Sequence, residues 1–480
     1  LDSCASVLSW DQETYMPDAG TEHRARQLSL LAGLAHRRKT APALRELLDR
    51  AEGRAAGSPE EANVREARRD YDLSVKLPPE LVEELAHTTS LARRAWVEAR
   101  KKREFPLFRP WLEKIVALKR REAEARGYAE DPYDTFVDLY EAGETRESLA
   151  RIFTPLREAL SALLGKILGS SRGVDDALLR RRYPIPAQAE FARRAAARIG
   201  FDFGRGRLDV TAHPFCSPIG PGDTRLTNRY DEHSFGEAFF GVLHEAGHGM
   251  YEQGLDAGAF GTPMGEACSF GVHESQSRLW ENFVGRGRPF WRHFFPEAQK
   301  AFPEALGHVA PEEFYRAINA VRPSFIRTDA DEVTYNLHIF LRAELEQALL
   351  SGDLAVADLP GAWNEAFARD FRIRPSHDAD GCLQDVHWSG GSFGYFPTYA
   401  LGNVYAAQIH AKAREEIDGL DASVAKGDFA DLRRWLNEKV HRHGRHHRPR
   451  RLVELATGAR PSPDALVAHL DAKYGEVYGL

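Results

Sequence analysis

Cysteine is scarce in this chain. Four cysteines occur among 480 residues, and Cys4, Cys216, Cys268 and Cys382 are too far apart to form a C-x-x-C pair. A disulfide scaffold of this size would need more of them, so we expect free thiols that pack as small hydrophobic side chains. A zinc site built from cysteines is not expected. The same scarcity is typical of a reducing compartment and predicts a cytoplasmic location.

Long apolar runs, repeats and excess positive charge are also missing. No unbroken apolar run reaches about 18 residues, so no membrane span is expected. The net charge of −7 argues against nucleic acid as the main partner. There is no internal repeat and no low-complexity linker, and 43% hydrophobic residues are enough for a substantial core. The chain begins at Leu1, which leaves open whether residues precede it.

Helical patterns dominate the first 200 residues or so. Between Leu149 and Ile167, apolar residues recur at steps of three and four, the period of one helix face. Dense charge clusters between such patterns are interpreted as solvated helix faces. Helix starts are indicated at three places: Ser58-Pro59, Pro78-Pro79-Glu80, and Thr145 with Ser148.

The pattern changes between residues 201 and 231. Segments 207–212 and 225–230 resemble short strands joined through several prolines and glycines, which predicts a hairpin. An edge strand there could hold an extended peptide by main-chain hydrogen bonds. Helical patterns resume at Phe235, and a loop rich in glycine and aromatic residues interrupts them at 390–399. We therefore expect one large, mainly α-helical domain with a small sheet, whose helical first half packs over a cleft.

The segment His244-Glu-Ala-Gly-His248 carries the chemistry. Two imidazoles four residues apart lie on one helix face and can bind the same metal ion, while Glu245 can accept a proton from a water that the metal activates. The alternative is a set of surface residues on an amphipathic helix. Gly247 and Gly249 argue against it, because two glycines weaken a helix and indicate close approach of another segment.

The start of this helix is also predicted. Ser234 followed by Glu237 matches a capping box, in which each side chain bonds the backbone amide of the other residue.

A catalytic zinc needs a third protein ligand from another helix. Glu274, in His273-Glu-Ser-Gln276, is our first choice, with Leu279, Trp280 and Phe283 as the buried side of its helix. Glu266 and Glu281 are weaker rivals, and a plain surface carboxylate is the alternative for Glu274.

The proposed chemistry is peptide hydrolysis. Glu245 would deprotonate the activated water and pass the proton to the leaving amine. The developing oxyanion needs a donor opposite the metal, and His387, Tyr395 and Tyr399 in the later glycine-rich region could supply one.

Six motifs occur in an order that resembles the carboxypeptidase Taq family of thermostable metallocarboxypeptidases. They are His213-Pro-Phe215, Asp223-x-Arg225-x-Thr227, His244-Glu245-x-x-His248, His273-Glu274-Ser275-Gln276, Ile326-Arg327-x-x-Ala330-Asp331 and Gly381-x-x-Gln384-Asp385-x-His387-Trp388. Trp10-Asp-Gln-Glu13 and Lys473-Tyr-Gly-Glu-Val-Tyr-Gly479 resemble the two ends of the family. The likeness covers essentially the whole chain.

The resemblance implies a zinc or cobalt enzyme, with one ion per subunit, that removes C-terminal residues with broad specificity and acts poorly on C-terminal proline. It implies a gluzincin-like helical fold with a deep cleft, a homodimer, and a single catalytic domain over residues 1–480. We divide that domain into a helical cover (1–200), a motif-bearing core (201–400) and C-terminal helices (401–480). The metal ligands carried over are His244, His248 and Glu274, with Glu245 as base.

Substrate contacts follow from the remaining motifs. The motifs at His213 and at Asp223 with Arg225 would narrow one end of the groove, which makes the enzyme an exopeptidase acting on peptides with a free C-terminal carboxylate. Gln384 and Tyr399 are further substrate-binding candidates.

The terminal carboxylate needs an arginine, which binds carboxylates through paired hydrogen bonds. Arg327 is the first candidate and Arg225 the second. The alternative for each is a structural salt bridge, Arg327 with Asp331 or Arg225 with Asp223. His387 could instead support another site residue rather than contact the transition state.

Two alternative functions and the interpretation of one further segment stay open. An oligopeptidase of related architecture would cut short peptides internally, and an inactive scaffold would bind metal and peptide without catalysis. The retained Glu245 argues against the scaffold, since metal binding needs no base. The basic and histidine-rich run 441–451 is interpreted as a solvated turn or a subunit contact.

Overall fold

The computed structural model describes residues 1–58 and 60–480 and divides them into two compact units, each built from separate stretches of chain. Unit 1 comprises Leu1–Ser74, Val174–Ala320 and Gly402–Pro461, and unit 2 comprises Val75–Gly173, Val321–Leu401 and Ser462–Leu480. Of the expected helix start at Ser58-Pro59, Pro59 lies outside the described residues. The division of one catalytic domain at residues 200 and 400 stays a prediction.

Helices make up most of both units, as predicted. In the described part of the chain, the α-helices in order are α1 Asp2–Thr14, α2 Thr21–Lys39, α3 Pro42–Ala55, α4 Glu61–Val75, α5 Pro79–Lys102, α6 Arg109–Arg126, α7 Pro132–Tyr140, α8 Arg146–Gly169, α9 Ile185–Ile199, α10 Phe235–Gly254, α11 Phe270–Arg278, α12 Arg288–Ala301, α13 Pro303–Leu306, α14 Pro311–Ile318, α15 Tyr335–Ser351, α16 Leu359–Phe371, α17 Pro397–Glu416, α18 Leu420–Val424, α19 Ala430–Lys439, α20 Pro449–Thr457 and α21 Asp464–Tyr478. A π-helical segment, Leu279–Val284, continues directly from α11.

Local signals in the first 200 residues identify real helix boundaries. Helix α5 begins at Pro79 after Pro78, where the proline without an amide proton costs no hydrogen bond. At the start of α8 the side chains of Thr145 and Ser148 each accept the other residue's backbone amide. The predicted face of α8, from Leu149 to Ile167, is buried. Here the sequence pattern and the structure agree.

A three-stranded sheet in unit 1 consists of β1 Gly206–Val210, β2 Cys216–Gly220 and β3 Asp223–Asn228, in the order β1-β3-β2. The predicted hairpin between the first and last strands is wrong, because β1 runs parallel to β3. The antiparallel pair is β2 with β3, joined by a tight turn at Gly222, whose φ is +83°. The proline-rich segment that was expected to be a loop therefore contributes a strand of its own.

Helix α10 is the central element of unit 1 and packs against α9, α11 and the sheet. Its first turns are anchored by aromatic stacking, with ring centroids 5.5 Å apart for Phe235 and Phe239 and 5.1 Å apart for Phe191 and Phe239. Because these rings exclude water, burial of the amino-terminal half stabilises the helix that carries His244 and His248.

Helix α15 is almost wholly buried in unit 2 and carries polar side chains at steps of four: His338, Arg342 and Glu346. All three are fully buried. Buried polar groups need partners, and Arg342 and Glu346 find theirs in the segment that contains the last motif. Arg342 bonds Asp385, and Glu346 bonds the Trp388 indole.

All four cysteines are free, as expected, and Cys268 and Cys382 are buried. Cys4 is exposed and so does not pack as a small hydrophobic side chain. No helix in the described part of the chain combines the length and apolar character of a membrane span.

Candidate active site

The start of α10 differs from its predicted form. Ser234 is the N-cap residue, but its side chain makes no capping hydrogen bond. Glu237 instead forms an ion pair with Arg229. The helix boundary was therefore predicted correctly while the capping box was wrong, because a nearby cation competes for the carboxylate and the aromatic core already fixes the helix.

Two imidazoles and a carboxylate converge in unit 1. Oε2 of Glu274 lies 3.6 Å from Nε2 of His244 and 3.5 Å from Nε2 of His248. One donor atom from each of the three residues lies within 4.8 Å of the others. Tetrahedral metal sites with bonds of about 2.0–2.1 Å have donor atoms roughly 3.4 Å apart. The spacing and the chemistry of this donor set therefore fit a divalent metal such as zinc.

The remaining ring nitrogens of both histidines face acceptors. Nδ1 of His244 lies 2.9 Å from Oε2 of Glu281, and Nδ1 of His248 lies 3.1 Å from the carbonyl oxygen of His273. Such contacts fix a histidine's tautomer and leave Nε2 for a metal. Glu281, which sequence reasoning weighed as a rival ligand, thus contacts His244 from the other side of its ring.

The second rival carboxylate is engaged elsewhere. Glu266 is exposed and pairs with Arg445 at 2.9 Å.

The histidine-rich run 441–451 contributes contacts within unit 1. Its Arg445 also binds Asp70 at 2.7 Å, and its His441 is buried against Gln276 at 2.9 Å. That run is therefore part of the packing of unit 1 more than a solvated turn.

Buried charges set the protonation of the cluster. Burial alone would raise the pKa of Glu274, but Arg278 and His244 outweigh it and hold that pKa well below its ordinary value. Glu245 is 6% exposed, and burial raises its pKa to about 7. Glu274 is thus ionised, as a ligand must be, and Glu245 can both take up and release a proton near neutral pH.

The two glycines of the motif lie where other segments come closest. A Cβ at Gly247 would stand 2.6 Å from the carbonyl oxygen of Gln276, and one at Gly249 would stand 2.6 Å from the Phe201 ring. Only glycine lets α10 and α11 approach this closely. The close approach expected from the sequence is present.

The two motifs near the sheet are joined to each other. The Thr227 hydroxyl accepts the amide of Phe215 at 2.9 Å, and Arg225 donates to both carboxylate oxygens of Asp223 at 2.8 and 2.7 Å. His213 is exposed. The salt bridge weighed as the alternative for Arg225 is therefore present, and this guanidinium already has a carboxylate partner.

Arg327 belongs to unit 2 and pairs with Asp385 rather than Asp331. Its Nε lies 3.1 Å from Asp385, its Nη1 donates to the Tyr335 hydroxyl at 3.1 Å, and its backbone amide donates to Gln384 at 3.0 Å. Asp331 instead accepts backbone amides, including that of Thr334 at 3.0 Å. Gln384 thus fixes the backbone at Arg327.

The arginine cluster of unit 2 carries excess positive charge. Arg342 also donates to Asp385, at 2.6 Å, so two guanidinium groups share one carboxylate. Burial alone would raise the pKa of Asp385, but Arg342 and Arg327 hold it well below its ordinary value. Nη2 of Arg327 takes no hydrogen-bond partner among residues 1–58 and 60–480. A second carboxylate would complete this cluster electrostatically.

Aromatic groups line the same cluster. The ring centroids of His387 and Tyr395 are 5.6 Å apart, those of Tyr395 and Tyr399 are 5.3 Å apart, and the Arg327 guanidinium carbon lies 5.0 Å from the Tyr399 ring. Burial lowers the pKa of His387 to about 4, so its ring is neutral at pH 7. Its Nδ1 is buried without a hydrogen-bond partner within the described residues.

Comparison with known proteins decides the family. Residues 1–474 match the model of the carboxypeptidase Taq (M32) metallopeptidase family. Thermostable carboxypeptidase 1 of Thermus thermophilus is 46% identical, over 100% of this chain and 96% of its own. Carboxypeptidase 1 of Bacillus subtilis is 39% identical, over 98% and 95%. The crystal structure of the M32 carboxypeptidase from Deinococcus radiodurans R1 has a TM-score of 0.97 at 43% identity, covering 100% of this chain and 96% of that one.

The chain belongs to the carboxypeptidase Taq (M32) metallopeptidase family. This membership confirms the resemblance drawn from the six motifs and the mainly helical fold with a small sheet. The protein is a metallocarboxypeptidase, and the family implies a divalent metal and peptide substrates.

Sequence reasoning missed several residues of the two side-chain clusters, one in each unit. Arg278, and the contact of Glu281 with His244, could have been predicted. Glu274, Arg278 and Glu281 follow the i, i+4, i+7 spacing of one helix face. Arg342 and Gly402 had no such signal, because each reaches its partner from a distant stretch of chain. Asp385 stood in a quoted motif but was not assigned a partner.

Proposed function

We propose that this metallocarboxypeptidase uses one zinc ion, held by His244, His248 and Glu274, to remove C-terminal residues from peptides. The observation that carries the proposal is the convergence of one donor atom from each of these residues within 4.8 Å. Two imidazoles and one carboxylate are the ligand set of a catalytic zinc that keeps one position open. Cobalt fits the same donors.

The chain's own residues would divide the work as follows. A bound divalent metal lowers the pKa of a water molecule and polarises the scissile carbonyl. Glu245 takes the proton of that water and returns it to the leaving amine, for which a pKa near 7 is well matched. His387, whose ring is neutral at pH 7, and Tyr395 would donate hydrogen bonds to the developing oxyanion.

Specificity for chain ends would come from Arg327. Its Nη2, which has no hydrogen-bond partner in the described part of the chain, and the excess positive charge beside Asp385 suit a terminal carboxylate. Tyr399 packs over the guanidinium. Arg225 is a weaker candidate because Asp223 already binds it. His213 and Asp223 would narrow one end of the substrate groove, and Gln384 stays a substrate-binding candidate.

One incubation tests the proposal. A short peptide of mixed sequence is supplied as the free acid and as the C-terminal amide, each with and without a chelator. The masses of the products are measured by mass spectrometry. We expect a ladder shortened from the C-terminus on the acid alone, abolished by the chelator. Equal cleavage of the amide would favour the oligopeptidase, and no cleavage with bound metal would favour the inactive scaffold.

Three further properties expected from the sequence and from the family resemblance stay predictions. They are broad specificity with poor action on C-terminal proline, a homodimer and a cytoplasmic location. A second peptide that ends in proline, included in the same incubation, tests the first of them.

A further inference from the structure

Arg278 bridges two carboxylates of the candidate metal site. Its Nε donates to Oε1 of Glu274 at 2.7 Å, and its Nη1 donates to Oε2 of Glu281 at 3.0 Å. Glu274 faces both histidine Nε2 atoms with its other oxygen, and Glu281 contacts Nδ1 of His244. One guanidinium thus contacts a ligand carboxylate and the carboxylate that orients another ligand.

The local helix geometry makes this bridge possible. Glu274 and Arg278 are four residues apart on α11, and Arg278 and Glu281 are three apart across the change from α-helix to π-helix at Leu279. Side chains at these spacings lie on one face. All three side chains are nearly buried, with Arg278 and Glu281 each 13% exposed and Glu274 6% exposed. Little solvent competes for their hydrogen bonds.

We propose that Arg278 is a positioning residue that sets metal affinity and coordination geometry by holding Glu274 and Glu281 in place together. This inference rests on the proposed function for the identity of the metal site. The two donors of the guanidinium fork fix the direction of both carboxylates, and through Glu281 they fix the ring plane of His244. Contacts of this outer kind typically change metal affinity by about 10- to 100-fold when removed.

The charge of Arg278 alone predicts the opposite change in metal affinity. A guanidinium beside the site repels a divalent cation, so its removal would strengthen metal binding if Arg278 acted only through its charge. If Arg278 acts by position, its removal weakens metal binding although the site becomes more negative. Lysine keeps the charge but cannot donate to both carboxylates in a fixed plane. The sign of the change therefore separates the two roles.

The experiment measures Zn²⁺ affinity of the metal-free full-length enzyme by competition with a chelator, and records the absorption spectrum of the Co²⁺ form. Arg278→Gln should bind Zn²⁺ about 10- to 100-fold more weakly and show an altered Co²⁺ spectrum, and Arg278→Lys should recover only part of both. The double variant Arg278→Gln/Glu281→Gln should lose less Zn²⁺-binding free energy than the two single variants lose together, because both residues act through His244. Arg292→Gln is the matched control, since Arg292 is exposed on α12.

The outcomes distinguish this inference from the proposed function. If Glu274→Ala binds as much metal as the wild type, or if the wild type binds none, the proposed metal site is wrong. If the wild type binds Zn²⁺ at the site that contains Glu274 but Arg278→Gln binds it equally or more tightly, the positioning role is overturned. Should Arg278→Gln not fold, Arg278→Lys decides: an unchanged affinity together with an unchanged Co²⁺ spectrum overturns the role.

Discussion

Gly402 of α17 lies directly against the side chain of Glu274. A Cβ at position 402 would stand 2.4 Å from Cγ and 2.7 Å from Cβ of that glutamate. These are atoms close to the backbone, which cannot swing away like the end of a long side chain. Glycine at 402 is therefore a condition for the position of the third metal-ligand candidate.

Gly402→Ala should weaken Zn²⁺ binding by at least 10-fold and destabilise the fold by about 1–3 kcal/mol, the usual cost of overpacking. Chelator competition and thermal unfolding of the metal-free protein measure the two effects. Gly475→Ala on α21 is the control, because a Cβ there meets no atom of the described residues within 4 Å. That change should leave metal affinity intact and stabilise the helix by about 0.5–1 kcal/mol.

Glu274→Ala should remove most of the bound zinc, since two imidazoles alone form a weak site. Elemental analysis after gel filtration measures the metal content. Glu266→Ala, which alters an exposed carboxylate paired with Arg445, should keep the full complement. A normal zinc content in Glu274→Ala would move the third ligand to another residue.

Glu245→Gln should keep the metal and lose the base. Glutamine has the same shape but cannot accept the proton, so kcat should fall by roughly 100-fold or more. Parallel measurements of metal content and peptide hydrolysis check this. Near-normal turnover in this variant would refute the role of Glu245.

Arg327→Ala should lower kcat/KM on free-acid peptides by about 30- to 1,000-fold, corresponding to a charge-assisted pair of roughly 2–4 kcal/mol. Zinc content should stay normal, and the poor hydrolysis of amidated peptides should barely change. Arg327→Lys should recover only part of the loss, because a point charge cannot reproduce the guanidinium fork. An equal fall on both substrates would make Arg327 structural and transfer the role to Arg225.

Glu346 makes the free energy of unfolding depend on pH. Burial raises its pKa from 4.5 to about 7, although Gly394, Trp388 and Tyr133 all donate to it. Between those values the folded state binds more protons than the unfolded state, so stability falls as pH rises from about 4.5 to 7 and then levels off. The total change is about 3 kcal/mol.

Denaturant unfolding of wild type and Glu346→Gln across pH 4–8 isolates this dependence. The difference in unfolding free energy between the two proteins should shift in favour of the variant as pH rises through this range. A difference that stays constant with pH would show that Glu346 does not titrate there.

Local patterns predicted the helices well because their causes are local. Thr145 and Ser148 cap α8 through neighbouring amides, and the spacing of His244 and His248 places both on one face of α10. The parallel pairing of β1 with β3 was missed because it depends on contacts that no short pattern records. Arg327 illustrates the same limit: its partner is Asp385, far along the chain, although Asp331 was the nearer choice in sequence.

Direct contact between α10 and α11 at Gly247 fixes how far one helix can slide along the other. A slip of one helical turn is about 5.4 Å, longer than the separation of any two donor atoms in the site. The spacing of the donors is therefore a property of axial register, and the connection between the helices, residues 255–269, does not set it. Insertions confined to that connection should leave the donor spacing unchanged, whereas a single residue inserted inside either helix should destroy it.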